Sequence, residues 1–164
     1  KKISLLKSKE YKFYWYITPF IKFNSYSFLF SNNCIKQKGS DLGKKIWHIF
    51  SNDKNPFIIL GSDIPGIKLF HIEELFYYLR SNDLVIGPST DGGFWALGYS
   101  NKRKIVYPFH NVRWSDENTL SDLLGNLKKN KIRFQLTSEL TDIDNIKDYC
   151  KNKLGLNKPV ETYI

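Results

Sequence analysis

The 164-residue sequence contains no methionine and only two cysteines. Because methionine is absent, Lys1 is not a natural initiator, and we expect the chain to be a fragment, a trimmed form or a processed product. Cys34 and Cys150 belong to no CxxC or Cys/His cluster, so they give no sign of a zinc site. A disulfide between them is the alternative, but reduced thiols are favoured, and we therefore expect a cytoplasmic protein.

Long apolar runs are also missing: no stretch approaches the ~20 residues that a membrane-spanning helix needs, and the beginning lacks the apolar core of a signal peptide. The formal net charge of +9 favours acidic partners such as phosphates and nucleotides. Nearly all basic residues are lysines spread along the chain, which favours a solvated surface over a nucleic-acid groove. We expect no membrane span and no nucleic-acid partner, and the oligomeric state is left open.

What the sequence does contain is an alternation of apolar segments. Strands are predicted at residues 11–18, 57–61, 83–88, 94–98 and 132–136, with a weaker candidate at 27–30, and residues 32–40 are expected to be irregular. Helices are predicted at 41–50, 68–79, 119–127 and 145–153. The continuous apolar run at 57–61 is typical of a strand buried on both faces. The alternation predicts an α/β fold with a mostly parallel sheet, in which ligands bind beyond the carboxyl ends of the strands.

Asp63 lies in the motif GSDIP, directly after one of these buried strands. A carboxylate at that edge suits Mg²⁺ or Mn²⁺, which favour oxygen ligands and accept substrate phosphates and water as the others. The alternative is a turn aspartate that caps the following helix. The motif by itself supports the two interpretations equally.

Asp91, Gly92 and Gly93 lie between two predicted strands. Adjacent glycines permit a positive φ and a close approach of the backbone to a ligand. The alternative is an ordinary Asp-Gly turn in a hairpin, and for this motif alone it is the favoured interpretation.

Three further motifs are candidates for ligand contacts. Gly39 and Asp41 lie in a glycine-rich loop that opens a helix, where backbone N–H groups can receive an anion, although the glycine spacing is not that of a P-loop. Arg113 and Trp114 could hydrogen-bond and stack on a ligand, but a core Trp beside a surface Arg is more frequent. In the acidic motif at 142–144, one aspartate could cap the last helix, which is the favoured interpretation, and the other could reach a metal.

Taken in order, these motifs resemble a bacterial family of GT-A-type glycosyltransferase-like proteins. The matching segments are QKGSDLG at 37–43, GSDIP at 61–65, GP at 87–88 with DGGFW at 91–95, Gly98, NVRWS at 111–115 and DID at 142–144. Some members of the family are labelled arsenosugar-biosynthesis glycosyltransferases, and the family is related to molybdenum-cofactor guanylyltransferases. The resemblance covers residues 37–148.

The resemblance implies a single nucleotide-diphospho-sugar transferase domain over residues 1–164, a Rossmann-like α/β/α arrangement in three layers. It implies that Asp63, with Asp144 as a second ligand, holds Mg²⁺ or Mn²⁺, and that Asp91 is the catalytic residue at the acceptor. The nucleotide or substrate contacts would be Gly39, Asp41, Gly92, Gly93, Arg113 and Trp114. The implied reaction is transfer of a sugar from a nucleotide-diphospho-sugar to an unidentified acceptor.

Two alternatives stay open beside glycosyl transfer. One is nucleotidyl transfer from a nucleoside triphosphate, and the other is a non-catalytic member of the same fold. Family members open with a strand and a basic, glycine-containing loop that touches the nucleotide, whereas this chain begins after such a segment. We therefore expect an incomplete nucleotide site in the chain as it stands.

Overall fold

The computed structural model describes residues 11–17, 34–52, 54–64 and 66–141. The chain divides into two compact units, Lys1–Lys54 and Asn55–Ile164. The strand predicted at 27–30, the helix predicted at 145–153 and the motif containing Asp144 lie outside the described residues. Within the described part, no helix is both long enough and apolar enough to cross a membrane. The single domain over 1–164 stays a prediction.

The first unit contains two short parallel strands and one helix. Strand β1 (Trp15–Ile17) pairs in parallel with β2 (Cys34–Lys36), and Gln37 Nε2 donates to the carbonyl oxygen of Tyr16 at 3.0 Å. The prediction that residues 32–40 are irregular is wrong for Cys34–Lys36, because pairing with β1 organises a segment whose polar composition gave no strand signal; residues 37–40 are irregular as predicted, and 32–33 lie outside the described residues. Helix α1 (Leu42–Asn52) buries Ile46 and Phe50, as the apolar spacing predicts.

The second unit is built around a four-stranded sheet. Its strands are β3 (Phe57–Leu60), β4 (Leu84–Pro88), β5 (Phe94–Tyr99) and β6 (Phe134–Leu136), in the spatial order β3-β5-β4-β6. Strand β5 is antiparallel to both β3 and β4, whereas β4 and β6 are parallel. Three of the four strands therefore run in one direction, as predicted. Two of the three pairings are antiparallel, because the short 89–93 connection lets β5 fold back on β4.

The core of this unit lies around β4 and the helices α2 (Leu69–Leu79) and α3 (Thr119–Lys129). Leu84, Val85 and Ile86 are fully buried, and α2 packs on β4 and β5. Helix α2 packs closely on β5 at Gly98 because glycine has no Cβ. A Cβ there would lie only 3.0 Å from Leu79 Cδ1. The prediction that β3 is buried on both faces is wrong. It is half-buried throughout, since among the described strands it forms an edge of the sheet.

Candidate functional site

The loops that carry the two candidate carboxylates, Asp63 and Asp91, leave the sheet at one edge, the edge formed by the carboxyl ends of β3 and β4. Strands β3 and β4 run in the same direction with only β5 between them, and Ala96 of β5 pairs with Leu60 on one side and Gly87 on the other. Adjacent strands are about 4.8 Å apart, so β3 and β4 are separated by roughly 10 Å. The Asp63 and Asp91 loops therefore share one edge of the sheet, at the carboxyl ends of β3 and β4.

A third segment, residues 137–141 after β6, joins the same edge. Thr90 N donates to the carbonyl oxygen of Leu140 at 3.2 Å, and Leu140 N donates to that of Pro88 at 3.1 Å. The indole Nε1 of Trp95 donates to the carbonyl oxygen of Ser138 at 3.0 Å. The chain that leads to the acidic motif at 142–144 is thus hydrogen-bonded to the Asp91 loop.

Asp63 presents an exposed carboxylate just beyond β3. Gly61 N donates to the carbonyl oxygen of Trp95 at 2.8 Å, which extends the ladder by one residue before the loop turns away. Among the residues that the structure describes, the Asp63 side chain has no hydrogen-bond or ion-pair partner. Its oxygens are therefore accessible to a ligand.

The alternative role of Asp63 as a helix cap does not fit the structure. Helix α2 is capped at Lys68, whose backbone N–H donates to His71 Nδ1 at 3.0 Å, and His71 N donates back to the carbonyl oxygen of Lys68 at 3.1 Å. Burial lowers the pKa of His71, which favours the neutral ring that can accept this hydrogen bond. Helix α2 thus begins at Lys68, and no hydrogen bond at its start involves Asp63 among the described residues.

A cation bound at Asp63 would take its other ligands from outside the described residues. Within residues 11–17, 34–52, 54–64 and 66–141, no three His, Cys, Asp or Glu side chains cluster in a way that could hold a metal ion. Mg²⁺ commonly binds through one or two carboxylates and completes its shell with water and substrate phosphates. An exposed Asp63 carboxylate meets that requirement.

Asp91, in contrast, is tied into its own turn. The buried Ser89 hydroxyl donates to Asp91 Oδ1 at 2.5 Å, and Gly93 N donates to the same oxygen at 2.9 Å. Asp91 is an exposed residue, so its carboxylate is held by these hydrogen bonds and is still accessible to a ligand. The only sequence signal for the Ser89 contact is its two-residue spacing from Asp91. The geometry agrees with the Asp-Gly turn, and the catalytic role of Asp91 stays a prediction.

Gly92 is required by the shape of this turn, and Gly93 packs tightly in it. Gly92 has φ +88°, and a Cβ there would overlap the carbonyl oxygen of Glu117 just before α3. Leu120 N also donates to the carbonyl oxygen of Gly92 at 2.9 Å. A Cβ at Gly93 would lie 3.1 Å from Asp91 Oδ1. Backbone packing explains Gly92, and the ligand contacts predicted for both glycines stay predictions.

Arg113 and Trp114 are engaged with the protein itself. Arg113 Nε and Nη2 donate to the two oxygens of Asp122 at 2.9 and 2.8 Å, and these hydrogen bonds lower the pKa of Asp122 to about 2. Trp114 is half-buried, with ring centroids 6.3 Å from Phe94 and 5.8 Å from Phe109. The Arg113 fork thus binds α3, and the substrate contacts predicted for both residues remain predictions.

In the first unit, Gly39 and Asp41 shape the start of α1. Asp41 Oδ1 accepts a hydrogen bond from Lys44 N at 2.8 Å, which lowers the pKa of Asp41, and Ser40 Oγ donates to Oδ2 at 3.1 Å. Gly39 has φ +138°, and a Cβ there would lie 2.6 Å from Lys45 N. The cap accounts for both residues, and their predicted anion binding stays untested.

An ionic cluster around Asp83, among the described residues, was not predicted from the sequence and lies at the opposite edge of the sheet. Asp83 precedes β4, and its side chain is 1% exposed. Arg103 Nη2 donates to its Oδ2 at 2.6 Å, Arg133 N donates to the same oxygen at 2.9 Å, and Arg133 Nη2 lies 3.4 Å from Oδ1. The Arg103 hydrogen bond is the main cause that lowers the pKa of Asp83 to about 2. Its place at the amino end of β4 makes it a structural group.

The described architecture is that of a nucleotide-diphospho-sugar transferase fold. It superposes on the crystal structure of a protein from Desulfovibrio desulfuricans G20, provisionally named a nucleotide-diphospho-sugar transferase, with a TM-score of 0.70. The match covers 77% of this chain and 57% of that chain at 21% sequence identity, which establishes likeness of fold. The predicted fold class is confirmed.

The chain belongs to the family DUF2064, described as "uncharacterized protein conserved in bacteria", which matches residues 24–116. It is also 31% identical over 111 residues to the 2-phospho-L-lactate guanylyltransferase of Methanocaldococcus sp. (strain FS406-22). That similarity covers 67% of this chain and 47% of the relative, so the chain spans about half the length of the curated protein it matches. The family resemblance read from the motifs is confirmed.

Proposed function

We propose that the protein is a transferase acting on a nucleotide-activated substrate, and that the group it transfers is the sugar of a nucleotide-diphospho-sugar. The observation that carries the proposal is the shared edge at the carboxyl ends of β3 and β4, from which the Asp63 and Asp91 loops both leave. Ligands of α/β sheets bind beyond that end of the strands. The likeness of fold to a protein named for such a donor supports the choice of substrate class.

In this proposal, Asp63 holds the donor through a divalent cation. Its carboxylate is exposed and has no partner among the described residues, so binding a cation breaks no contact with them. Mg²⁺ or Mn²⁺ supplies Lewis-acid stabilisation of the charge on the diphosphate leaving group. Asp144 is proposed as a second ligand, on the sequence motif alone.

Asp91 is proposed to act on the acceptor. As the bond from the sugar carbon to the diphosphate breaks and the bond to the acceptor oxygen forms, Asp91 orients the acceptor hydroxyl or takes its proton. The two donors on Oδ1 fix the direction of the carboxylate, which suits a group that must meet one hydroxyl in one geometry. Losing a well-placed base costs about 10²- to 10⁴-fold in rate.

Nucleotidyl transfer is the second candidate, and the 31% identity to a guanylyltransferase favours it. The acceptor would then attack the α-phosphate of a nucleoside triphosphate, and pyrophosphate would leave. Asp63 and its cation would serve both reactions. Assays with both donor types distinguish them, because sugar transfer releases a nucleoside diphosphate and nucleotidyl transfer releases pyrophosphate.

The proposal is tested by titration calorimetry of the full-length protein with nucleoside diphosphates, with and without Mg²⁺ or Mn²⁺. The variant is Asp63→Asn, which keeps the shape and removes the charge, and the control is Glu73→Gln, which neutralises an exposed carboxylate on α2. We expect metal-dependent binding that Asp63→Asn weakens by about 10- to 100-fold, the value of a contact to a charged group, and that Glu73→Gln leaves intact. Absence of metal-dependent nucleotide binding in the wild-type protein contradicts the proposal. Wild-type nucleotide affinity in Asp63→Asn contradicts the role proposed for Asp63.

A further inference from the structure

Ser89 occupies a fixed position where β4 ends and the Asp91 turn begins. Ser89 is 4% exposed, and its backbone N–H donates to the carbonyl oxygen of Gly93 at 3.1 Å. On its other side Ser89 forms a parallel bridge with Leu140. Its carbonyl oxygen accepts from Gly92 N at 3.2 Å, so the main chain on both sides of Ser89 is held by backbone hydrogen bonds.

The Ser89 hydroxyl is therefore not needed to close the turn, and it is directed at Asp91. Its Oγ lies 2.5 Å from Asp91 Oδ1, and Gly93 N donates to the same oxygen at 2.9 Å. Hydrogen bonds to an ionised acceptor are short and about twice as strong as neutral ones. The buried Ser89 hydroxyl, at the end of β4, thus donates a hydrogen bond to one oxygen of the exposed Asp91 carboxylate.

We propose that Ser89 is a positioning residue: its buried hydroxyl holds the Asp91 carboxylate in the orientation in which it meets the acceptor. The proposal rests on the function proposed above for Asp91. Asp63 and Asp91 both follow strands at this edge, but of these two only Asp91, the one given a directional task, has a buried hydroxyl on it among the described residues. Orientation of a catalytic group matters to the rate, since a misplacement of about 1 Å can cost about 100-fold.

The chain offers a matched control in Ser100. It is 2% exposed and follows β5 at the opposite edge of the sheet, and in the described structure its Oγ has no hydrogen-bond partner. Ser100→Ala removes the same atom from an equally buried position without touching Asp91. Ser89→Thr is the conservative variant, because it retains a hydroxyl at the position.

The decisive measurement is the side-chain angle χ1 of Asp91 in the full-length protein. Three-bond NMR couplings from the ¹³C-labelled carboxyl carbon to the backbone report whether one rotamer or several are populated. We expect one rotamer in wild type, Ser100→Ala and Ser89→Thr, and averaged couplings in Ser89→Ala. A single Asp91 rotamer in folded Ser89→Ala overturns the proposal.

Turnover links this orientation to the reaction. UDP-glucose and GDP-mannose serve as donor probes with water in place of the acceptor, and nucleoside diphosphate release is measured. We expect Ser89→Ala to lower kcat by about 10- to 100-fold, the equivalent of one hydrogen bond to a charged group, with unchanged metal-dependent nucleotide affinity and with rescue by Ser89→Thr. Equal kcat in Ser89→Ala and Ser100→Ala contradicts the role of Ser89. Failure of wild type to bind nucleotide contradicts the proposed function instead, and the couplings then still decide whether Ser89 holds Asp91.

Discussion

Asp83 is expected to contribute about 2 kcal/mol to the stability of the second unit at neutral pH. The Arg103 and Arg133 hydrogen bonds lower its pKa from 3.8 to about 2. At 1.36 kcal/mol per pKa unit this is about 2.5 kcal/mol. The side chains of Arg103 and Arg133 are 48% and 65% exposed, so solvent screening reduces the value to about 2 kcal/mol. Asp83→Asn keeps the shape and removes the charge, and should lower Tm by roughly 6–9 °C.

The pH dependence identifies the cause of this loss. A carboxyl whose pKa is depressed by folding contributes stability that is fully present above its unfolded value and is lost as the pH falls through its folded value. The difference in unfolding free energy between wild type and Asp83→Asn should stay constant from pH 7 to about pH 5, fall to roughly half by pH 3, and approach zero near pH 1.

Urea denaturation at each pH measures this difference, with Glu73→Gln as the control. Glu73 is exposed on α2, and its substitution should change stability by no more than about 0.5 kcal/mol. A loss in Asp83→Asn that is the same at pH 3 as at pH 7 would refute the reasoning, because it would show that the asparagine disturbs packing rather than removing a stabilising charge.

The remaining predictions concern the Asp91 turn and its neighbour α3. Gly92→Ala should lower the free energy of unfolding by about 2–4 kcal/mol, because its φ is +88° and a Cβ would overlap the carbonyl oxygen of Glu117. Gly125→Ala, in open space on α3, should instead raise the free energy of unfolding by about 0.5–1 kcal/mol. Equal effects of the two substitutions in chemical denaturation would contradict both predictions. Arg113→Ala should raise the pKa of Asp122 from about 2 towards its ordinary value, since its hydrogen bonds are the main cause of the shift; a ¹³C titration of the carboxyl that matches wild type would show that Arg113 is not the cause.

The longer elements could be predicted from the sequence because their apolar residues repeat. Helix α2 was expected at 68–79 and spans Leu69–Leu79, and β4 was expected at 83–88 and spans Leu84–Pro88. The order of the strands could not be predicted, because pairing depends on fits between distant residues. At Gly87, for example, a Cβ would collide with the indole of Trp95. That close approach leaves no pattern in the local sequence.

The same limit applies to the candidate site. The motifs placed Asp63 and Asp91 after strands, which suffices to put them at one sheet edge once β3 and β4 are known to be parallel to each other. What holds the edge together is a set of contacts across long separations, such as Trp95 Nε1 to the carbonyl oxygen of Ser138, 43 residues away. Composition and periodicity carry no information on such partners, because a carbonyl acceptor is present at every residue.

Asp63 and Asp91 are the same residue type at the same edge, yet the protein holds them in opposite ways. A carboxylate that binds a cation coordinates it through its oxygens. Asp63 has no partner among the described residues, so it loses no contact with them when a cation binds. A carboxylate that orients a hydroxyl must itself be oriented, and Asp91 has donors from Ser89 and Gly93. Asp63→Asn therefore reports on ligand binding alone. Any substitution of Asp91 removes the carboxylate together with its hydrogen bonds to Ser89 and Gly93, so its effect on rate is interpreted beside Ser89→Ala, which leaves the carboxylate in place and removes one of the donors that hold it.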